Sequence, residues 1–330
     1  MANADKKSRW FVYNGEDADP ADLPDTARQR IEQSQKALDT ARANDDRSEE
    51  AEQLTNLGQN LMSAGQIKHA IEYFQQALSI SNELGDQHQV ATIHLRLGMA
   101  HMFLQDSKNA QAHYTQALVI FKNIGDRAGI INTLENFAVF YGNIGQPDKA
   151  IQFYQNSLTI SRELGDLDRQ ANTLNKLAAS YMEINQPKTG IELNEQALAL
   201  YRQVGNKKGE AHVLSSLGVF CIGDSERALV YENEALNISR EINDRTIEAR
   251  TLMNMGVMYY GMNNAAKAYE STYAAVQIFD EIGGPEADTA RKQLDRYSFG
   301  KPRNPKTYFI LAGLWLGLII LIFVISLSSR

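Results

Sequence analysis

The sequence is poor in the residues that fix small secreted or catalytic domains. Cys221 is its single cysteine, so no internal disulfide can form and an oxidised, stapled scaffold is excluded. Its thiol is read either as a redox or palmitoylation site or as a small residue buried on an apolar helix face. Only seven prolines occur, two near the N-terminus and two just before the last apolar run, so helix breakers are sparse through the middle. The formal charge of −7 is dispersed and no Lys/Arg stripe appears. Phosphate recognition needs clustered cations, so composition argues against a nucleic-acid partner. No apolar core of signal-peptide length follows Lys6 and Lys7. A nucleotide loop, a Gly-x-Ser-x-Gly elbow and a Cys-x-x-Cys pair are all missing, and so are closely spaced histidines of metal-binding type. His94 and His101 stand seven apart on one expected helix and are read as structural. The chain is read as no enzyme, with no cofactor and no metal.

What is present is a period. Gly85-Asp86, Gly125-Asp126, Gly165-Asp166, Gly205-Asn206, Asn243-Asp244 and Gly283-Gly284 follow one another at spacings of 40, 40, 40, 38 and 40. Leu57-Gly58, Leu97-Gly98, Phe137-Ala138, Leu177-Ala178, Leu217-Gly218 and Met255-Gly256 keep the same register. A third series runs Ala70, Phe74, Ala77; Ala110, Tyr114, Ala117; Ala150, Tyr154, Ser157. Ile71, Phe74, Leu78 and Ser81 share one face at helical spacing. The terminal Gly closes each helix in the left-handed conformation, and the following Asp or Asn caps the next. Each unit is thus a helix-turn-helix that buries its apolar faces only by stacking on its neighbours.

These small and large positions (Gly58, Ala70, Phe74, Ala77) resemble the tetratricopeptide pattern over residues 47–284. The 40-residue unit is similar to the subgroup found in Leu-Gly-Asn adaptors, kinesin light chain and bacterial arrays. The resemblance implies an all-α, right-handed solenoid of six helical hairpins that binds peptides or proteins in a concave groove. The match has departures: no repeat begins with Trp, Gly190 and Asn194 replace the Ala70 and Phe74 types in the fourth repeat, and the fifth is two residues short in its turn at Gly223-Asp224.

Around the repeats the expected organisation is a disordered segment (1–23), a capping helix from a decayed hairpin (24–46), a C-terminal capping helix (285–298), a basic linker (299–307), a transmembrane helix (308–327) and a three-residue tail (328–330). The aromatic patch Trp10-Phe11-Val12-Tyr13 is either a ligand motif or a functionless stretch. Residues 308–327 carry no charge and at 1.5 Å per residue span about 30 Å, a bilayer core. Lys301, Arg303 and Lys306 precede the span and only Arg330 follows it, which places the array in the cytosol on a single-pass tail anchor. Gly313 and Gly317 form a small-xxx-small pair suited to packing in a homodimer.

The expected binding face lies on the first helix of each repeat. By resemblance, Asn56, Arg96, Asn136, Lys176, Ser216 and Asn254 face the groove, with Asn132, Asn172, Asn175, His212 and Arg250 at related spacing. Asn is a poor helix former, and its amide both donates to and accepts from a peptide backbone. These amides either hold a partner or bond one another in a ladder between repeats. Arg96 and Lys176 imply an acidic, extended ligand, and Glu52, Glu135 and Glu183 stand near enough to neutralise them. The function expected is a membrane-anchored scaffold for assembly, recruitment or chaperoning. The alternative is a sensor that relays partner binding through the membrane helix.

Overall fold

The computed structural model describes residues 17, 23–221, 223–283 and 286–297. Among them are fourteen α-helices and no strand. The expected membrane helix with Gly313 and Gly317, and the patch Trp10–Tyr13, lie outside the described residues. Among the described residues no helix is long and apolar enough to cross a membrane.

Six hairpins follow a first helix, α1 (Asp25–Ala43), and precede a last one, α14 (Ala287–Tyr297). They pair α2 (Arg47–Ser63) with α3 (Ile67–Leu84), α4 (Gln87–Phe103) with α5 (Ser107–Ile124), and α6 (Arg127–Asn143) with α7 (Pro147–Glu163). The later three pair α8 (Leu167–Glu183) with α9 (Pro187–Val204), α10 (Lys207–Phe220) with α11 (Ser225–Glu241), and α12 (Arg245–Gly261) with α13 (Ala265–Ile282). The chain divides into two compact units, one ending at Ala197 and the other beginning at Leu198.

The punctuation is local chemistry. Asp46, Asp86, Asp126, Asp166, Asn206 and Asp244 each accept a hydrogen bond from the backbone N–H three residues on, which caps the first helix of every hairpin. Gly85 and Gly125 sit at φ 72° as left-handed C-caps, a conformation that a Cβ penalises. The shortened fifth repeat differs from expectation in where the loss falls. Its first helix, α10, has 14 residues against 17 for its equivalents α6 and α8. The missing residues come from the helix end, because the Cys221 carbonyl accepts from Asp224 N at 2.7 Å in a tight turn. Asp224 then caps α11 through Arg227 N.

Packing inside a hairpin depends on a small residue facing a large one. A Cβ added at Gly58 would lie 2.6 Å from the Phe74 ring, and one at Gly98 would lie 2.5 Å from Tyr114, so only glycine allows these rings to seat. In the first unit, Leu38 of α1, Leu54, Leu57 and Leu61 of α2, Ile67 and Phe74 of α3, and Ile93 and Leu97 of α4 form a continuous core. In the second, Leu252 and Met255 of α12, Phe279 of α13 and Ala290 of α14 do the same. The end helices bury their apolar sides on α2 and α13 and keep charged outer faces. Cys221 is buried, as a packing residue would be.

Candidate functional site

Each first helix spends one face on its partner: in α2 these are Leu54, Leu57, Gly58 and Leu61. The residues between them are left for neighbouring repeats or for a ligand. Successive first helices touch, α2 with α4, α4 with α6 and α10 with α12, so within each unit the expected binding positions form adjoining rows.

The structure divides these positions by what they already hold. Lys176 Nζ lies 2.6 Å from Glu135 Oε2, and Glu135 Oε1 accepts from Thr173 at 2.7 Å. Asn132 accepts from Arg169 at 2.9 Å, and the Asn136 amide donates to the Asn132 carbonyl at 2.8 Å. Asn175 donates to Asn194 at 2.9 Å. Asn254 donates to Ser215 at 3.1 Å and to Glu232 at 3.0 Å, while Arg250 pairs with Glu286. Several bonds join first helices a repeat apart, so part of the expected binding row is a ladder between repeats. Lys176 in particular is a cation already neutralised by Glu135.

Three positions differ. Asn56 and Asn172 are exposed and Arg96 is half-buried, and none makes a hydrogen bond or ion pair to another described residue. Burial lowers the pKa of Arg96, which reflects a guanidinium taken from water without a carboxylate beside it. An Arg in that condition gains most from an incoming carboxylate, which it can bind with two parallel N–H bonds.

A second polar cluster occupies the second unit. His212, Ser215, Ser216, Ile247 and Arg250 line a hollow of about 210 Å³ between α10 and α12. Beneath it Glu232 is fully buried and accepts from Ser215 at 3.4 Å as well as from Asn254, while its Oε2 has no partner among the described residues. Burial pushes the Glu232 carboxyl up to about 8, against the smaller opposing effect of Asn254 and Ser215. Sequence reasoning missed this carboxyl, although Glu232 stands at the register of Phe74 once the two-residue deletion is counted. It also missed that His113 joins His94 and His101. No group of metal-ligating side chains is arranged to hold an ion among the described residues.

This architecture, capped hairpins seated small residue against large, is the tetratricopeptide repeat. Family profiles described as Tetratricopeptide repeat match residues 51–84, 89–166 and 169–241. Together these cover more than half of the chain, which therefore belongs to the tetratricopeptide-repeat family. No curated protein sequence matches it. Among solved structures it is similar to a signal-transduction ATPase with numerous domains and a tetratricopeptide-repeat sensor, from Pyrococcus horikoshii (TM-score 0.62, 18% identity, 86% of this chain and 44% of that one). It is also similar to BtubC from P. vanneervenii (TM-score 0.51, 20% identity, 78% and 92%). A third is the apo quorum sensor NprR from B. thuringiensis (TM-score 0.53, 14% identity, 82% and 84%). At these identities the likeness concerns the fold.

Proposed function

We propose that this protein is a non-catalytic scaffold whose first-helix face binds an extended, acidic segment of a partner protein. The observation that carries this reading is Arg96, half-buried with no acid beside it among the described residues, in register with Asn56 and with Asn136 of the next repeat. Arg96 takes a carboxylate of the ligand and the exposed amides of Asn56 and Asn172 take its backbone. Lys176 keeps Glu135 and positions the ladder instead.

The array is held on the cytosolic side of a membrane by residues 308–327, and the work is assembly, recruitment or chaperoning of a complex there. Support for the anchor comes from the 20 uncharged residues and the basic flank before them. Gly313 and Gly317, four apart in the sequence, would let two such segments pack closely, which would make the scaffold a homodimer.

The test is a crosslinked pull-down from membranes with the full chain, followed by affinity measurement on the captured partner. Arg96→Glu is expected to weaken binding by roughly tenfold or more, the loss of a charge-assisted pair plus a new repulsion. Raised salt should weaken the wild type in the same direction. Unchanged affinity in Arg96→Glu would remove the acidic-ligand reading. Deleting residues 301–330 should release the chain from membranes, and sedimentation with them after a high-salt wash would refute the anchor.

A further inference from the structure

Three columns recur at the repeat spacing on the two helices of each hairpin. The first reads Leu54, His94, Leu134, Leu174, Leu214 and Leu252, and the second Leu61, His101, Tyr141, Tyr181, Cys221 and Tyr259. The third reads Tyr73, His113, Phe153, Leu193, Tyr231 and Ser271. In the first repeat these positions belong to the apolar core. In the third, Tyr141 and Phe153 stack with centroids 5.3 Å apart. The second repeat alone carries histidine, and it does so in all three columns.

The three imidazoles form a row. His94 Nδ1 lies 2.9 Å from His113 Nδ1, a contact that needs a proton on one nitrogen and a lone pair on the other. On its far side His113 stacks on His101, with centroids 5.3 Å apart and planes 15° apart. His101 Nδ1 faces Asp106 Oδ2 at 3.3 Å, and Asp106 is held ionised chiefly by the side chain and backbone of Asn109. The groups acting on His113 are thus His94 and His101 from α4 and Asp106 from the turn. The central ring has two potential cations beside it and one acid, which is nearer to His101.

We propose that this row makes the α4–α5 hairpin an acid-sensitive element: neutral imidazoles pack it, and proton uptake drives its helices apart. With the row neutral, His94 and His113 share one proton and occupy the space that Leu and Tyr fill in the first repeat. One further proton, on the lone-pair nitrogen, makes that ring a cation and sets two N–H groups against each other across 2.9 Å, and uptake by the second ring makes both rings cations. Burial first and the neighbouring histidines second depress His113 to about 4, and burial depresses His94. The sign follows: a folded-state pKa below the unfolded 6.5 means stability held above pH 6.5 and lost progressively towards pH 4. Because α4 carries Arg96, acid would also loosen the ligand's grip. That consequence alone rests on the proposed function, and the experiment below reads the hairpin without a ligand.

The experiment is hydrogen exchange on the full chain in detergent, comparing protection factors at pH 7.5 and pH 5.0. For His113 alone, linkage from 6.5 to about 4 gives an about 30-fold loss of protection for α4 and α5 at pH 5.0. The variant His94→Leu, His101→Leu, His113→Tyr restores the first repeat's residues and should remove most of that loss. A wild-type loss below roughly tenfold, or an equal loss in the variant, overturns the proposal. Should the variant misfold, the wild-type imidazoles are titrated by NMR. One ring titrating below pH 5 is expected, and three rings titrating near 6.5 overturn the proposal.

Discussion

The first three repeats and the last three solve the same packing problem with different chemistry. Opposite the small residue of the first helix stand Phe74, Tyr114 and Tyr154 in the early repeats, and Asn194, Glu232 and Thr272 in the late ones. All six are buried. The aromatic rings fill volume and cost little, since a fully buried ring gains on the order of 2–3 kcal/mol from leaving water. The late residues bury polar atoms: Asn194 Nδ2, Glu232 Oε2 and Thr272 Oγ1 have no partner among the described residues. An unsatisfied buried group costs about 1–3 kcal/mol, so the late hairpins are expected to open more readily at the same helical geometry. The repeat specifies where a side chain goes and leaves open how much its burial stabilises.

The comparison breaks most visibly if an early ring is removed. Phe74→Ala leaves a hole beneath Gly58 and should cost roughly 3–5 kcal/mol, measured as the opening free energy of α2 and α3 by hydrogen exchange. A cost below about 1 kcal/mol would mean that the hairpin collapses around the gap, which close packing forbids.

A somewhat smaller effect is expected at Glu232, and it carries a sign. Its folded pKa of about 8 lies above the ordinary 4.5, so the protonated form suits the fold. Stability of the α11–α12 region is therefore full below pH 4.5 and lost as pH rises through about 8. Glu232→Gln keeps the bond from Asn254 and should flatten that dependence, recovering roughly 2–4 kcal/mol at neutral pH. Identical pH profiles in the variant and the wild type would show that the carboxyl is not held neutral. The second and fifth repeats are thus expected to weaken in opposite pH directions, the former in acid and the latter in base.

The smallest expected change sharpens the comparison. Thr272→Val keeps the shape facing Gly256 and removes a hydroxyl that has no partner among the described residues. The variant should be neutral or more stable by up to about 1 kcal/mol. A clear loss, read as faster exchange in α13, would mean that the hydroxyl makes a bond there after all.

The helical hairpins were legible in the sequence because their signals are short-range. An Asp or Asn bonding its own helix three residues on, and a glycine turning left-handed where the helix must stop, act on neighbours in the chain. The 40-residue period repeats those signals until chance is excluded. A shared face was equally legible, since Ile71, Phe74, Leu78 and Ser81 recur at helical spacing, while the seating of Phe74 against Gly58 came from the structure. The shortened fifth repeat was visible as a spacing of 38, but the loss falls in α10 rather than in the turn, because helix ends are set by marginal local preferences.

Which polar residues are already committed could be decided only by the tertiary structure. Lys176 meets Glu135 across 41 positions, Asn254 meets Glu232 across 22, and His113 meets His94 across 19. No local rule forecasts such pairs, since they depend on how one helix is rotated against the next and on which rotamer reaches across. The same rotation leaves Arg96 half-buried without an acid among the described residues, while Lys176 at the equivalent position one repeat-pair later is neutralised. The sequence by itself determined the repeat, its helices and its seams, because capping, turn chemistry and hydrophobic period act within a few residues. Packing between hairpins decided which side chains remain for a ligand, because charge pairing and burial are settled by distances in space.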